Sequence, residues 1–413
     1  MSTEQRVEVP ENVNTSDVSI HVPVRKYPDG GYGWVIVFAS FLLYLIADGI
    51  AYPLGLVNSA WLDYFHESET KTSWIGSLFY ATPLLSGPIT SKLIERYGCK
   101  KMTIIGGAVG SLGFILSSLC SSIEQLYITI GIIGGSGLSS AYIVGLLTVE
   151  RWFETRRGFA IGIVSAGTGF GTFIFPPITQ FLLENLGWRL TVLCISGLLM
   201  VVSLVGAWLD DPLWKIQEDA MAKTANIEKD SINVIRDEKT FTEKMKNYVD
   251  FSHFKNGNFA LLGFTTFLIY ALYNTAIYFL SEMLKNFDYT ESQSANFLSV
   301  IGFFLMLGML ALGWSADQKY INVVVLNGAC VLICGISELL MPLAASNYIV
   351  LSMLCAIFGF TFASAYVLIP KIAELIVGVD NFASAIGLNF FMQGLGLLIG
   401  TPFAGWIYEM SDR

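Results

Sequence analysis

Residues 158–184 read GFAIGIVSAGTGFGTFIFPPITQFLLE, and residues 383–409 read ASAIGLNFFMQGLGLLIGTPFAGWIYE. Each stretch runs uncharged for 26 residues and ends on a glutamate, Glu184 or Glu409. About 20 predominantly apolar residues are what a helix needs to cross a bilayer. Laid over one another at an offset of 225, the stretches match at Ala160-Ile161-Gly162 on Ala385-Ile386-Gly387, Gly169 and Gly171 on Gly394 and Gly396, Pro177 on Pro402, and Glu184 on Glu409. Working outward, Phe41, Leu42, Tyr44 and Tyr52 fall on Phe267, Leu268, Tyr270 and Tyr278 at an offset of 226, with Asp48 on Asn274. Gly87 falls on Gly313 at the same offset. Offsets that agree this closely predict two parallel halves related by an axis along the membrane normal. That is the plan of a transporter that rocks around a site between its halves, and a channel or receptor has no need of it.

The rest of the chain fits the reading. Of its 413 residues 54% are hydrophobic and only 14% charged, with mean hydropathy +0.58. A soluble domain carries about a quarter charged residues. The charges cluster and leave eleven apolar stretches, at about 34–58, 73–91, 102–120, 125–148, 158–183, 188–209, 258–281, 294–314, 321–342, 347–370 and 383–408. The expected organisation is a disordered tail over 1–30, an N-terminal six-helix bundle over 31–209, a linker over 210–256, and a C-terminal bundle over 257–413 with five helices. The tail has no apolar core of a signal peptide. With the N-terminus cytoplasmic, 20 of the 24 lysines and arginines fall inside. The positive-inside rule therefore puts the tail and the linker in the cytoplasm. A net charge of −9 gives no reason to expect nucleic acid. The six cysteines and three histidines form no metal-ligand spacing, so neither metal nor cofactor is expected.

Charge inside a span costs about 2.5–3.5 kcal/mol at mid-helix on insertion scales, which makes it a functional hypothesis. Asp48 and Glu338 are the clearest cases. Tyr44, Asp48 and Tyr52 recur every four residues and share one stripe of the first helix, and Tyr270, Asn274 and Tyr278 make the matching stripe of the seventh. In a two-half transporter these stripes face each other across the cavity and predict a polar, aromatic-lined substrate site. A tyrosine pair at the interface with a structural Asp48 is the alternative. Asn389 and Gln393, one turn apart on the eleventh helix, are either lining or interhelical glue. Glu338, on a peripheral helix, suits packing better than transport. Arg96, Arg156, Arg157 and Asp317 lie at cytoplasmic helix ends and are expected to latch the gate, with orientation by the positive-inside rule alone as the alternative.

Tyr27-Pro28-Asp29-Gly30-Gly31-Tyr32-Gly33-Trp34 resembles the opening signature of the monocarboxylate transporter family, within the major facilitator superfamily. So does the run from Arg151-Trp152-Phe153-Glu154-Thr155-Arg156-Arg157-Gly158 into the fifth helix. Gly87-Pro88 through Arg96-Tyr97-Gly98 is similar to the superfamily's loop motif, and Gly400-Thr401-Pro402-Phe403-Ala404-Gly405-Trp406 resembles the end of the family's eleventh helix. The resemblance spans residues 27–409. It implies an all-α, multi-pass protein of major facilitator type, with two six-helix bundles, both termini cytoplasmic, alternating access, a plasma-membrane location, and in some members a single-span ancillary glycoprotein. Eleven spans leave the last helix absent from this chain.

Two sets of positions depart from the pattern. Ser91 stands where the superfamily's loop motif has Asp, which the second half keeps as Asp317. Leu305 and Met309 occupy the helix 8 positions where proton-coupled members carry an Asp/Arg pair, and the first helix reads Tyr52-Pro53-Leu54-Gly55 where those members carry a Lys. A bare carboxylate needs a cation to offset its desolvation. The expected activity is therefore passage of a small organic solute (monocarboxylate-like, amino acid, zwitterion or other amphipath), secondary-active or facilitative, and not proton-linked lactate symport. The alternative is a non-transporting sensor or partner-binding protein on the same fold. An enzyme is not expected: the spans hold no histidine and no convergent nucleophile and base.

Overall fold

The computed structural model describes residues 27–51, 54–217, 251–287, 289 and 291–411, apart from the side chains of 59, 69–70, 73, 273–283, 285–286, 291–292, 294–295 and 401–411. The linker 218–250, Tyr52 and the tail 1–26 thus lie outside the described residues.

All regular structure among the described residues is helical. Helices α1 (Gly33–Ala51) and α2 (Leu54–Phe65) occupy the first expected span, α3 (Glu69–Leu85) and α4 (Gly87–Tyr97) the second, and α5 (Cys99–Ser117) the third. The fourth is α6 (Ile123–Leu126), a π-helical turn Tyr127–Gly134, and α7 (Gly135–Trp152). Helix α8 (Arg157–Gly206) holds the fifth and sixth, divided at Gly187, whose φ of 73° belongs to the left-handed region that glycine tolerates. The second half runs α9 (Gly257–Asn286), α10 (Glu291–Ala316), α11 (Val323–Ala344), α12 (Tyr348–Phe362) with α13 (Ser364–Val377), and α14 (Phe382–Ser411). Eight helical runs among the described residues are long and apolar enough to cross a membrane. Side-chain caps start several helices: Asn322 accepts from the N–H groups of Val324 and Val325, and Asn347 from those of Ile349 and Val350.

The repeat is visible in the packing. Gly171 of α8 seats on Leu45 and Gly49 of α1, and Gly396 of α14 seats on Phe267 and Ala271 of α9. Leu45 and Ala271 differ by the same 226 as the tyrosine stripes. Between the halves, Gly162 of α8 meets Gly313 of α10, and its counterpart Gly387 of α14 meets Gly87 of α4. A Cβ on Gly87 would lie 2.5 Å from the Gly387 carbonyl oxygen, and one on Gly313 would lie 2.9 Å from Gly162 Cα. Only glycine permits these two crossings. Without a hydrophobic force between helices in lipid, such close backbone contact is a main source of association.

The two family-like motifs meet on one face, here called the tail face. Asp29 donates its N–H to the Trp152 carbonyl (3.1 Å), and its carboxylate accepts from the N–H groups of Glu154 (2.8 Å) and Thr155 (3.0 Å). Tyr32 donates to the Trp208 carbonyl, and Trp152 Nε1 to the Asp210 carbonyl, both at 2.9 Å. Buried Arg151 binds Asp211 (2.6 Å) and Cys99 Sγ (3.2 Å). The opening motif therefore staples the α7–α8 turn and the start of the linker.

Candidate functional site

Three helices of the first half converge on Asp48. Tyr142 of α7 donates to Oδ1 at 2.7 Å, and Thr168 of α8 donates to Oδ2 at 2.5 Å. Both oxygens of the half-buried carboxylate are thus held, which offsets part of its desolvation. Tyr44, a turn earlier on α1, donates to the Tyr142 carbonyl at 3.0 Å, and the two rings meet edge to face at 5.6 Å. Gly145 makes room: a Cβ there would stand 2.6 Å from Tyr44 Cε2. The Tyr142 ring also reaches Phe390 of α14 in the other half, at 6.4 Å. Asp48 is therefore one residue removed from the seam between the halves.

In the second half, buried Tyr270 packs against Phe362 and Tyr366 at 6.1 and 6.3 Å. Tyr366 is the counterpart of Tyr142 at an offset of 224, so the Tyr44–Tyr142 pair recurs as Tyr270–Tyr366. Gln393 is the counterpart of Thr168 at 225. Asn389 and Gln393, 1% and 4% exposed, share the α14 face that carries Gly396 and Gly400 against α9. Neither polar atom of the Asn389 amide has a partner among the described residues. An unmet buried amide costs about 1–3 kcal/mol, which a polar ligand would relieve. Asn274 and Tyr278 lie on α9 with side chains outside the description, and Tyr52 lies outside it altogether. Tyr142 and Thr168 were not anticipated from the sequence, although the spacing Tyr142–Tyr366 matches the repeat.

Leu305 and Met309, on α10 in the eighth expected span, are 4% and 0% exposed, and the Met309 carbonyl packs against Gly162 in the seam. Glu338, half-buried on α11, makes no hydrogen bond among the described residues.

The expected latch residues separate into two kinds. Asp317 reaches across from the end of α10 and accepts from the N–H groups of Gly158 (2.7 Å) and Phe159 (2.8 Å), capping the N-terminus of α8. Burial raises its carboxyl above the ordinary value, against the pull of the two N–H groups, Lys371 and Arg157. Arg157, 2% exposed, pairs with Glu374 of α13, donates to the Phe153 carbonyl at 2.6 Å, and lies 5.5 Å from the Tyr27 ring. Glu374, the other end of that bridge, was not singled out in the sequence. It is the counterpart of Glu150 at an offset of 224. Arg96 is exposed beside the ring of Tyr97, and Arg156 is exposed. The halves are thus closed on each other at the tail face by two glycine crossings, one cap and one bridge.

Two halves of repeated helices, closed on each other at one face around a buried polar cluster, are the build of a membrane transporter. The profile of the Major Facilitator Superfamily matches residues 36–401. Human "Monocarboxylate transporter 2" is 30% identical over 407 residues, 95% of this chain and 82% of that one. Human "Monocarboxylate transporter 14" is 28% identical over 445 residues, covering 93% and 86%. Among solved structures, the proton:xylose symporter XylE superposes with a TM-score of 0.64 at 14% identity, covering 92% of this chain and 89% of that one. The human organic anion transporter MFSD10 does so with 0.64 at 16%, covering 91% and 93%. The chain belongs to the major facilitator superfamily, as a divergent member of its monocarboxylate transporter family. It is a multi-pass membrane protein and a solute transporter, and its relatives are carriers rather than enzymes.

Proposed function

We propose that the chain carries a small organic solute with a hydrogen-bond-donating or cationic end, bound between the halves with that end on Asp48. The observation that carries this is the convergence of Tyr142 and Thr168 on the Asp48 carboxylate, one ring contact from Phe390 of the opposite half. A carboxylate held by two hydroxyls keeps lone pairs for a donor. The uncharged, unmet amide of Asn389 supports a second, weaker polar contact from α14. The names of the relatives suggest a monocarboxylate. Apolar Leu305 and Met309 in the α8–α10 seam favour a different solute class, amino acids or other amphipaths, and passage not driven by protons in the lactate manner. The concentration of lysines and arginines near the tail face supports a cytoplasmic tail face.

The test is uptake by the purified full chain in proteoliposomes, screened over carboxylates, amino acids and amines with and without a pH gradient. The expected result is saturable uptake of a solute with a donating end, insensitive to a protonophore. Lactate accumulation that a protonophore abolishes would contradict it.

A further inference from the structure

The spans carry almost no charge, and what they carry is unbalanced. Within the eleven expected spans the charged side chains are Asp48, Glu338 and Arg189. Arg189 stands at the very start of its span. It is held there by the Ser118 and Cys120 carbonyls, at 2.7 and 3.1 Å, and by the Trp188 ring at 4.6 Å. The described partners of Asp48, Tyr142 and Thr168, are both neutral hydroxyls. A carboxylate that is hydrogen-bonded but not ion-paired keeps much of its desolvation cost, and a cation that reaches it offsets that cost.

Aromatic rings stand around this carboxylate in both halves. Among residues 137–151 of α7 only Tyr142 is not buried, and among residues 361–370, across α12 and α13, only Tyr366 is not. The two are counterparts, so each half leaves the same tyrosine open in an otherwise sealed stretch. The Tyr142 ring meets Tyr44 at 5.6 Å and Phe390 at 6.4 Å, and the Tyr366 ring meets Tyr270 at 6.3 Å. Tyr44 and Tyr270 lie within electrostatic range of one another across the seam. Ring faces attract an ammonium, and a flat apolar body stacks on them.

We propose that the solute is an aromatic monoamine, a cation with no carboxylate of its own. The inference rests on the reading that Asp48 holds the solute, and it narrows that reading to one charge type, setting amino acids and monocarboxylates aside. The ammonium donates to Asp48, and the ring lies between the Tyr44–Tyr142 pair and the Tyr270–Tyr366 pair. A solute carboxylate would bring a second negative charge toward Asp48. It would find only neutral groups to meet it, such as the Asn389 amide and the tyrosine hydroxyls. Like charges brought together in this way are a strong source of discrimination.

The experiment compares three solutes that share one phenol ring: tyramine, a cation; tyrosine, a zwitterion; and phloretate, an anion. Uptake of labelled tyramine into proteoliposomes of the purified full chain is measured against protein-free vesicles, with the unlabelled solutes as competitors. Saturable tyramine uptake is expected. Tyrosine and phloretate are expected to need a concentration at least about tenfold higher than unlabelled tyramine to halve it. Phe390→Leu, which removes one ring and keeps an apolar side chain, is expected to raise the half-saturating tyramine concentration about 2- to 5-fold. Absence of saturable tyramine uptake, competition by tyrosine or phloretate as strong as by tyramine, or an unchanged half-saturation in Phe390→Leu overturns the proposal. Should tyrosine or phloretate be the better solute and Asp48→Asn still weaken its uptake, the monoamine inference fails and Asp48 keeps its role. Should Asp48→Asn leave the uptake of the preferred solute unchanged, the reading beneath it fails as well.

Discussion

The two halves repeat each other's helices and diverge in where they keep a carboxylate. The first half holds Asp48 in the middle of its bundle, between Tyr142 and Thr168. At the same places the second half has Asn274, Tyr366 and Gln393. At the tail face the order reverses: Asp317 caps α8, while Ser91, its counterpart, only turns back to the Pro88 carbonyl. The shared parts are glycine crossings and tyrosine pairs, which set shape. The differing parts are chiefly two carboxylates, Asp48 at mid-bundle and Asp317 at the tail face, and on the proposed reading they decide what binds and how each seam closes. Symmetry therefore supplies the frame, and it is broken at three of these positions: Asp48 against Asn274, Thr168 against Gln393, and Asp317 against Ser91.

The shared frame is the most fragile element. Gly313→Leu places a side chain where a Cβ alone would lie 2.9 Å from Gly162 Cα, and Gly87→Leu does the same against Gly387. Each is expected to prevent closure at the tail face and to reduce proteoliposome uptake more than tenfold. Uptake within a factor of two of wild type would break the claim that the crossings are equivalent. The gate asymmetry comes next. Asp317→Ala removes the cap of α8, a loss of about 1 kcal/mol, or roughly fivefold in the closure equilibrium. Labelling of a cysteine placed at Ala316, which is 7% exposed and packs against Gly158, by a tail-side maleimide should speed up accordingly, whereas Ser91→Ala should leave it unchanged. Equal effects of the two substitutions would show that the seams are held alike.

A smaller effect is expected at Tyr142. Tyr142→Phe removes one hydroxyl from Asp48 and should weaken solute affinity by about 2- to 10-fold, from a hydrogen bond worth about 0.5–1.5 kcal/mol. Tyr366→Phe, in the half without the carboxylate, should do less. Smallest of all is Arg156→Ala. Its side chain is exposed, so stability and uptake should both stay within about 0.5 kcal/mol of wild type, whereas Arg157→Ala breaks the bridge to Glu374.

The frame was readable before the structure because it rests on backbone and spacing. Uncharged runs mark spans, and the glycines of 158–184 and 383–409 stay in register because their contacts tolerate no Cβ. Asp48 was readable because a charge in an apolar run stands out. Its partners were not: Tyr142 and Thr168 are ordinary polar residues of membrane helices, and only the meeting of α1, α7 and α8 makes them donors to one carboxylate. The contacts that join the halves at the tail face were half readable. Arg156 and Arg157 are neighbours in sequence, but Arg156 precedes the first turn of α8 and points to solvent, while Arg157 begins the helix and turns inward. Glu374 escaped notice because nothing in its own helix distinguishes it; its register with Glu150 appears only when the fourth and tenth helices are aligned.

The central claim is that the carboxylate of the first half, absent from the second, holds the solute. Asp48→Asn makes the halves alike while keeping the side-chain shape, so the protein should express and reconstitute normally. The direct measurement is the affinity of this variant for the solute found by the uptake screen, beside wild type in the same vesicles. The account predicts a loss of about 1–3 kcal/mol, roughly 5- to 150-fold. A well-folded Asp48→Asn protein with unchanged affinity and rate would make Asp48 a structural residue and contradict the account.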